Sequence, residues 1–356
     1  VSLRVALVGG PMYDGLYRLL DNHHDEIEIV VHADHPTLNR AVAERLAAGE
    51  RIDVLSTHSK YAPSQAAWLR PLDGRVDVSA LAPKAVGLCR FDGALLCAPR
   101  NIDVRVLWYR TDLLDRPPRT WAEVADSAAP FGFPGRESGL FGTFFELVVA
   151  YGGALFDADA HPTMVSAEAI AAVELLCKVA ARGPADLPDW HYDQVDAALL
   201  DGRVAMAAAW PGGYGPIRDS ALYGRLAPAA YPGGPAARVS YAGVHGWAIP
   251  TTCADVDAAA ALITKLTSAA AGALDAAGGS VCAHVDAFAA VEPGDATDAQ
   301  RLRITRETIA DAMITYPPLV RFPEVEDAGW GAIHAALRGE TDAKTAVERF
   351  QQAAED

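Results

Sequence analysis

No apolar run in the 356 residues approaches the roughly 18 to 20 needed for a bilayer-spanning helix, so the sequence supplies no membrane segment. Basic residues are short: 30 Lys and Arg stand against 46 Asp and Glu, a formal charge of −16. Without a concentrated basic stripe, that charge repels phosphate backbones and anionic lipid, which excludes nucleic acid as an expected partner. Cysteine is sparse and odd in number. Cys89, Cys97, Cys177, Cys253 and Cys282 form no CxxC or other zinc-ligand spacing, so no metal and no cofactor are expected. The catalytic signatures G-x-S-x-G, G-x-x-x-x-G-K-[ST], H-E-x-x-H and G-x-G-x-x-G are all missing. There is also no internal repeat and no low-complexity linker.

What is present is a water-soluble composition, 51% hydrophobic and 21% charged, on a chain long enough for two packed cores. Apolar strands alternate with helical patterns, the signature of a layered α/β protein. The opening reads as β-α-β-α-β: strands near residues 3–8, 26–30 and 52–55, with a helix over 38–48. A long helix is expected at 167–181 behind Ser166 as N-cap, one or two alanine-rich helices over 256–277, and a closing helix over 341–354. Asp92-Gly93 is a hairpin signal. If a three-residue loop centres on Gly93, Cys89 and Cys97 face one another at a separation a disulfide tolerates; the other reading is two small buried residues.

Three segments carry the functional content, each an apolar strand running into a turn that offers a ring, a hydroxyl partner or a free amide. They are residues 93–114 (GALLCAPRNIDVRVLWYRTDLL), 198–215 (ALLDGRVAMAAAWPGGYG) and 241–250 (YAGVHGWAIP). Their order and wording resemble the extracellular solute-binding proteins of ABC importers, in the group typified by maltose-binding protein. The matching pieces are Gly93 to Pro99 followed by Tyr109-Arg110-Thr111-Asp112-Leu113-Leu114, the P-x-T-W-x-E-type run at 118–124, Gly202-Arg203-Val204-Ala205-Met206, and Leu337-Arg338-Gly339-Glu340. The similarity runs from about residue 5 to about 353.

That resemblance implies a two-lobed α/β periplasmic-binding-protein fold, with a hinge and a ligand cleft at the lobe interface. Lobe 1 is expected from residues 1–108 plus 250–310, and lobe 2 from 109–249 plus 311–356. It implies a monomer that binds a small-molecule carbohydrate, closes about its hinge and delivers the ligand to the membrane permease subunits of an importer. The setting would be extracytoplasmic, periplasmic or lipid-anchored at the cell surface. Another polar solute, a polyol phosphate or a polyamine, is the alternative within binding proteins. A soluble sugar-acting α/β enzyme is the alternative outside them, with Asp103 and Glu146 as its carboxylate pair.

A sugar needs aromatic faces for its C–H surface and carboxylates, amides or cations for its hydroxyls. Trp210 with Gly212 and Tyr214 is the expected stacking element, and Trp247 in the turn with Gly243 and His245 is a second. Asp103 and Asn101, in the turn after Pro99, are expected polar partners. Glu146 and Phe144 stand at what reads as a helix start, and Arg321 lies in a segment that approaches the cleft in relatives. His58, with Lys60 and Tyr61, follows a strand at its carboxyl end, where open α/β sheets bind ligands. Trp108 reads as structural. The stretch His32-Ala33-Asp34-His35, near His23-His24, reads as a solvated polar edge, since ligating histidines need a facing geometry that a sequence does not display.

Overall fold

The computed structural model describes residues 2–21 and 26–355; His23 and His24 lie outside the described residues. The chain divides into two compact units, each discontinuous. The first comprises Val1–Asp103, Gly243–Glu292 and Pro318–Val320; the second comprises Val104–Ala242, Pro293–Pro317 and Arg321–Asp356.

The first unit is built on a sheet ordered Ile27–Ala33, Leu3–Val8, Val54–His58, His245–Pro250, Leu69–Arg70, with Ala98–Pro99 also paired to His245–Pro250. The first three strands run parallel, joined through the helices Pro11–Asp21 and His35–Ala47. Val5, Ala6 and Leu7 are fully enclosed, as expected of a parallel strand covered on both faces. Buried Asp53 clamps the start of the third strand, accepting from the backbone amides of Arg4 (2.8 Å) and Ala254 (3.0 Å) and from Arg51 Nε (2.9 Å). His245–Pro250 then enters antiparallel, and its register sets His245 directly opposite His58.

The second unit carries a four-stranded sheet ordered Leu226–Ala229, Val106–Arg110, Met206–Ala209, Phe131–Gly132. The helix Glu137–Ala150 is buried nearly along its whole length, and a two-stranded ribbon pairs Ser240–Tyr241 with Met313–Ile314. Ser166 caps the helix Ala167–Ala180 by accepting from Ala169 N. Thr120 caps Trp121–Asp126 by accepting from Glu123 N (3.2 Å), and the Glu123 carboxylate reaches back to accept from Arg119 N (2.6 Å), the amide just ahead of the cap.

Several expectations shift. The boundaries fall at 103–104, 242–243, 292–293 and around 318–320, not near 108, 249 and 310. The strands 106–110 and 245–250 each pair within a single unit, and Gln300 of the helix Ala296–Asp311 donates to Pro228 O (2.8 Å), which ties that helix to the second sheet. The second helix begins at His35 because Asp34 accepts from Thr37 N (2.9 Å) and Pro36 sits in the first turn. The hairpin turns on two residues, Asp92 (φ 48°) and Gly93 (φ 81°), both left-handed, as a tight primed turn demands. That register pairs Phe91 with Ala94 and Arg90 with Leu95 and sets the Cys89 backbone opposite Leu96, yet the Cys89 and Cys97 side chains still meet, Cys97 adding to the burial that raises the Cys89 thiol well above its ordinary range. All five cysteines are free thiols.

Candidate functional site

In the first unit, the carboxyl ends of the strands gather a polar cluster. His58 closes its strand, His245 opens the antiparallel neighbour, and His35 is the first residue of its helix. His245 Nε2 lies 3.0 Å from Asp103 Oδ2 and 3.1 Å from Tyr13 Oη, while His245 Nδ1 lies 2.9 Å from His35 Nε2. Asn101 braces the group, its Nδ2 donating to Asp103 Oδ1 (3.1 Å) and its Oδ1 accepting from His245 N (3.1 Å). Asp103 is held by an antiparallel bridge to Gly243. His58 Nδ1 accepts from Lys60 N (3.1 Å), and the Lys60 ammonium stands 4.7 Å from the Tyr61 ring centre.

A carboxylate can only accept, so His245 Nε2 carries the proton that faces Asp103. His245 Nδ1 is then the lone pair and takes the His35 Nε2 proton. The relay ends at His35 Nδ1, a buried nitrogen with no hydrogen-bond partner among the described residues. Burial, followed by the charges of His245 and Lys60, holds His35 and His58 well below the ordinary imidazole range. Both rings are neutral at physiological pH.

In the second unit, Trp210 is half-buried at the end of the strand Met206–Ala209. Tyr192 and Tyr241 meet it edge-on at 6.0 and 6.1 Å, and the Arg105 guanidinium lies 4.9 Å from its ring centre. Gly213, in the turn after Trp210, packs against Asp196: a Cβ there would stand 3.3 Å from Asp196 Oδ2. Asp196 has no hydrogen-bond or ion-pair partner among the described residues. Burial and then Asp193 push its carboxyl up to about 7.

Other expected site residues are placed differently. Trp247 is fully enclosed, edge-on to Tyr17 (6.2 Å) and 5.9 Å from the Arg100 guanidinium, which is itself paired to Asp275 at 2.7 Å; it belongs to the core. Phe144 is also sealed, against Phe350. Glu146 lies deep in the helix Glu137–Ala150, not at its start, with no exposed surface. It accepts from Tyr241 N (2.7 Å) and faces Arg105 at 3.5 Å. Burial outweighs Arg105 and lifts its carboxyl to about 7. Tyr214 is buried, stacked on Trp108 at 6.3 Å and beneath Arg301 at 4.0 Å. Gly212 is half-buried beside Trp210, and Arg321 is exposed ahead of the helix Phe322–Leu337.

Four residues that complete these groups escape the sequence reading: Tyr13, His35, Arg105 and Asp196. His35 belongs to the cluster, not to a solvated edge. Asp34 as a helix cap was the available signal, since it sets where the following imidazole begins the helix. Nothing in the local pattern marks Asp196.

The profile of the bacterial extracellular solute-binding protein family matches residues 26–273. A probable ABC transporter-binding protein of Deinococcus radiodurans is 27% identical over 219 residues, 54% of this chain. The match spans about half of that relative, 52%. Among solved structures, maltose-bound MalE3 of T. maritima superposes with a TM-score of 0.90 at 23% identity over 99% of both chains. The GacH receptor of Streptomyces glaucescens, solved unliganded and with acarbose, gives 0.86 at 18% identity, over 99% of this chain and 97% of its own. At such identities these likenesses establish the fold.

Proposed function

The chain belongs to the bacterial extracellular solute-binding proteins, and on that premise we propose that its ligand is a carbohydrate or related polyol, handed to the permease of an ABC importer. It is a binding protein and not an enzyme, its setting is extracytoplasmic, and its partners are a small solute and ABC permease subunits. The observation that carries the carbohydrate reading is the half-buried Trp210 with an unpartnered carboxyl, Asp196, against the turn that follows it. A sugar ring offers an apolar C–H face to the one and hydroxyl donors to the other. The first unit holds a polar group of its own, Asp103, His58, His245 and Asn101, with both acceptors and donors. The relatives solved with maltose and with acarbose agree with this reading.

A polyamine fits less well. It would need several carboxylates together, whereas Asp103 is paired with the imidazole of His245. The net charge of −16 supports action without nucleic acid, and we take the working species to be a monomer.

A thermal-shift panel of mono- to trisaccharides and polyols identifies the ligand, because ligand at a hundred times its Kd stabilises by about 2.7 kcal/mol. Calorimetric titration of Trp210→Ala with that ligand then tests the site. The expected loss is about 1 to 3 kcal/mol, roughly fivefold to more than a hundredfold in Kd, with a smaller change in stability. Binding equal to the parent protein overturns the assignment.

A further inference from the structure

In the second unit, Arg105 is buried with one whole edge of its guanidinium unused. Its backbone amide donates to Ser240 Oγ (2.9 Å), which fixes the residue just ahead of the strand Val106–Arg110. Its Nη1 donates to Thr143 Oγ1 (2.8 Å), whose own proton goes to Gly139 O (2.9 Å), and faces Glu146 Oε2 at 3.5 Å. The other edge, Nε and Nη2, makes no hydrogen bond among the described residues, although both atoms are enclosed and the side chain is only 2% exposed. Charged donors buried without acceptors are costly, so this edge is incomplete as it stands. Tyr231 flanks the group, its ring centre 5.9 Å from the guanidinium, and its hydroxyl interacts with the charges of Arg105 and Glu146 without a hydrogen bond to either.

Nε–H and Nη2–H lie side by side in one plane, the fork that takes both oxygens of a carboxylate. The chain leaves room beside it. Gly142 stands inside the helix Glu137–Ala150, where alanine is the better helix former, and a Cβ there would lie 3.0 Å from Arg105 Nη2 and 3.6 Å from Tyr316 Oη. A guanidinium nitrogen and a phenol hydroxyl therefore converge on one notch. The Trp210 ring centre is 4.9 Å from the same guanidinium. Glu146 does not answer the fork: one oxygen accepts from Tyr241 N (2.7 Å), the other faces Nη1, and burial lifts its carboxyl to about 7.

We propose that Arg105 is a specificity-determining residue that selects an acidic sugar, its Nε and Nη2 donating to the two oxygens of a carboxylate while the sugar ring packs on Trp210. This rests on the reading of Trp210 as the stacking element and narrows the ligand from carbohydrates at large to uronic and related acids. A phosphate ester, with up to two charges and three oxygens, asks for more than one fork supplies. Both fork nitrogens are covered, so loading requires a ring to turn aside, and the half-buried Trp210 is the one that does so.

The experiment is calorimetric titration of the full chain at neutral pH with glucuronate, galacturonate and the galacturonate dimer and trimer, each beside its methyl ester and the matching neutral sugar. Glucose 6-phosphate is the phosphate arm. The preferred acid should bind about ten- to a hundredfold more tightly than its ester, the scale of hydrogen bonds to a charged partner. Arg105→Lys keeps the charge without the fork and should bring that ratio close to one. Gly142→Ala leaves Arg105 in place, fills the notch at Nη2 and should lower the same ratio, which keeps the test readable if the arginine variant does not fold. A merely structural Arg105 would move the melting temperature and every affinity together and leave the ratio alone. Trp210→Ala separates this inference from the reading beneath it, since acid, ester and neutral sugar should all weaken. If Trp210→Ala weakens them and no acid is preferred to its ester, the carbohydrate site stands and the acid selectivity falls. If Trp210→Ala weakens none, both fall. The proposal is also overturned by an acid preference that survives Arg105→Lys and Gly142→Ala, or by tighter binding of glucose 6-phosphate than of any acid.

Discussion

Replacing Glu146 by glutamine should flatten the pH dependence of stability. The carboxyl is fully enclosed in the helix Glu137–Ala150, and burial raises it from 4.5 to about 7 despite Arg105 at 3.5 Å. A carboxyl whose folded value lies above its unfolded value binds its proton more tightly in the native state. Its contribution is therefore fully present below about pH 4.5 and is lost as pH rises through about 7. A shift of roughly 2.5 units corresponds to about 3.4 kcal/mol in all, of which about 2.5 kcal/mol falls between pH 5 and 8. Glutamine keeps an acceptor for Tyr241 N and has no proton to exchange. Urea denaturation of parent and Glu146→Gln at half-unit intervals from pH 5 to 8 reads the effect as a difference, in which all other titrations cancel. The stability of the parent relative to the variant should fall by about 2.5 kcal/mol across that range. Whatever constant offset arises from leaving Arg105 without its counter-ion does not enter this slope. Parallel profiles would refute the reasoning, because they would mean that Glu146 keeps an ordinary proton affinity in the folded protein.

Further outcomes follow from packing and backbone geometry. Trp247→Ala should destabilise the protein by about 3 to 5 kcal/mol in the same urea assay, since the indole is wholly enclosed by the core of the first unit; a loss under 1 kcal/mol would place it elsewhere. Gly93→Ala should cost about 1 to 2 kcal/mol, purely through its φ of 81°, since an added Cβ there meets nothing within 4 Å. Gly87→Ala, equally unobstructed but inside the helix Pro83–Leu88, should instead gain about 0.5 to 1 kcal/mol. Equal signs for the two would contradict the turn assignment.

The elements were legible where local chemistry decides them. Ser166, Thr120 and the Asp92-Gly93 pair each announce a cap or a turn through hydrogen bonds made within a few residues. Segment order carried the family, because the whole chain conforms to one arrangement of strands and turns. Unit boundaries were less legible, since which sheet a strand joins depends on partners far along the chain: 245–250 pairs with 54–58 and 106–110 with 206–209. The site was half legible. Asp103, His58 and Trp210 follow from strand ends and turns. Trp247 and Glu146 look identical to ligand-facing residues in sequence and differ only in what covers them. Tyr13, His35 and Asp196 enter through helix positions whose facing no local pattern records.

The discontinuity of the first unit also governs how the chain is made. Its three parallel strands are complete once residue 58 has emerged from the ribosome, yet their central edge, Val54–His58, waits for His245–Pro250, which is synthesised only after nearly the whole intervening part of the second unit. During that interval the nascent chain presents an unpaired, apolar strand edge, the kind of surface that recruits chaperones and invites mispairing. Long-range closure of this kind is slow. The sheet of the first unit is therefore completed only when the segment His245–Pro250 arrives.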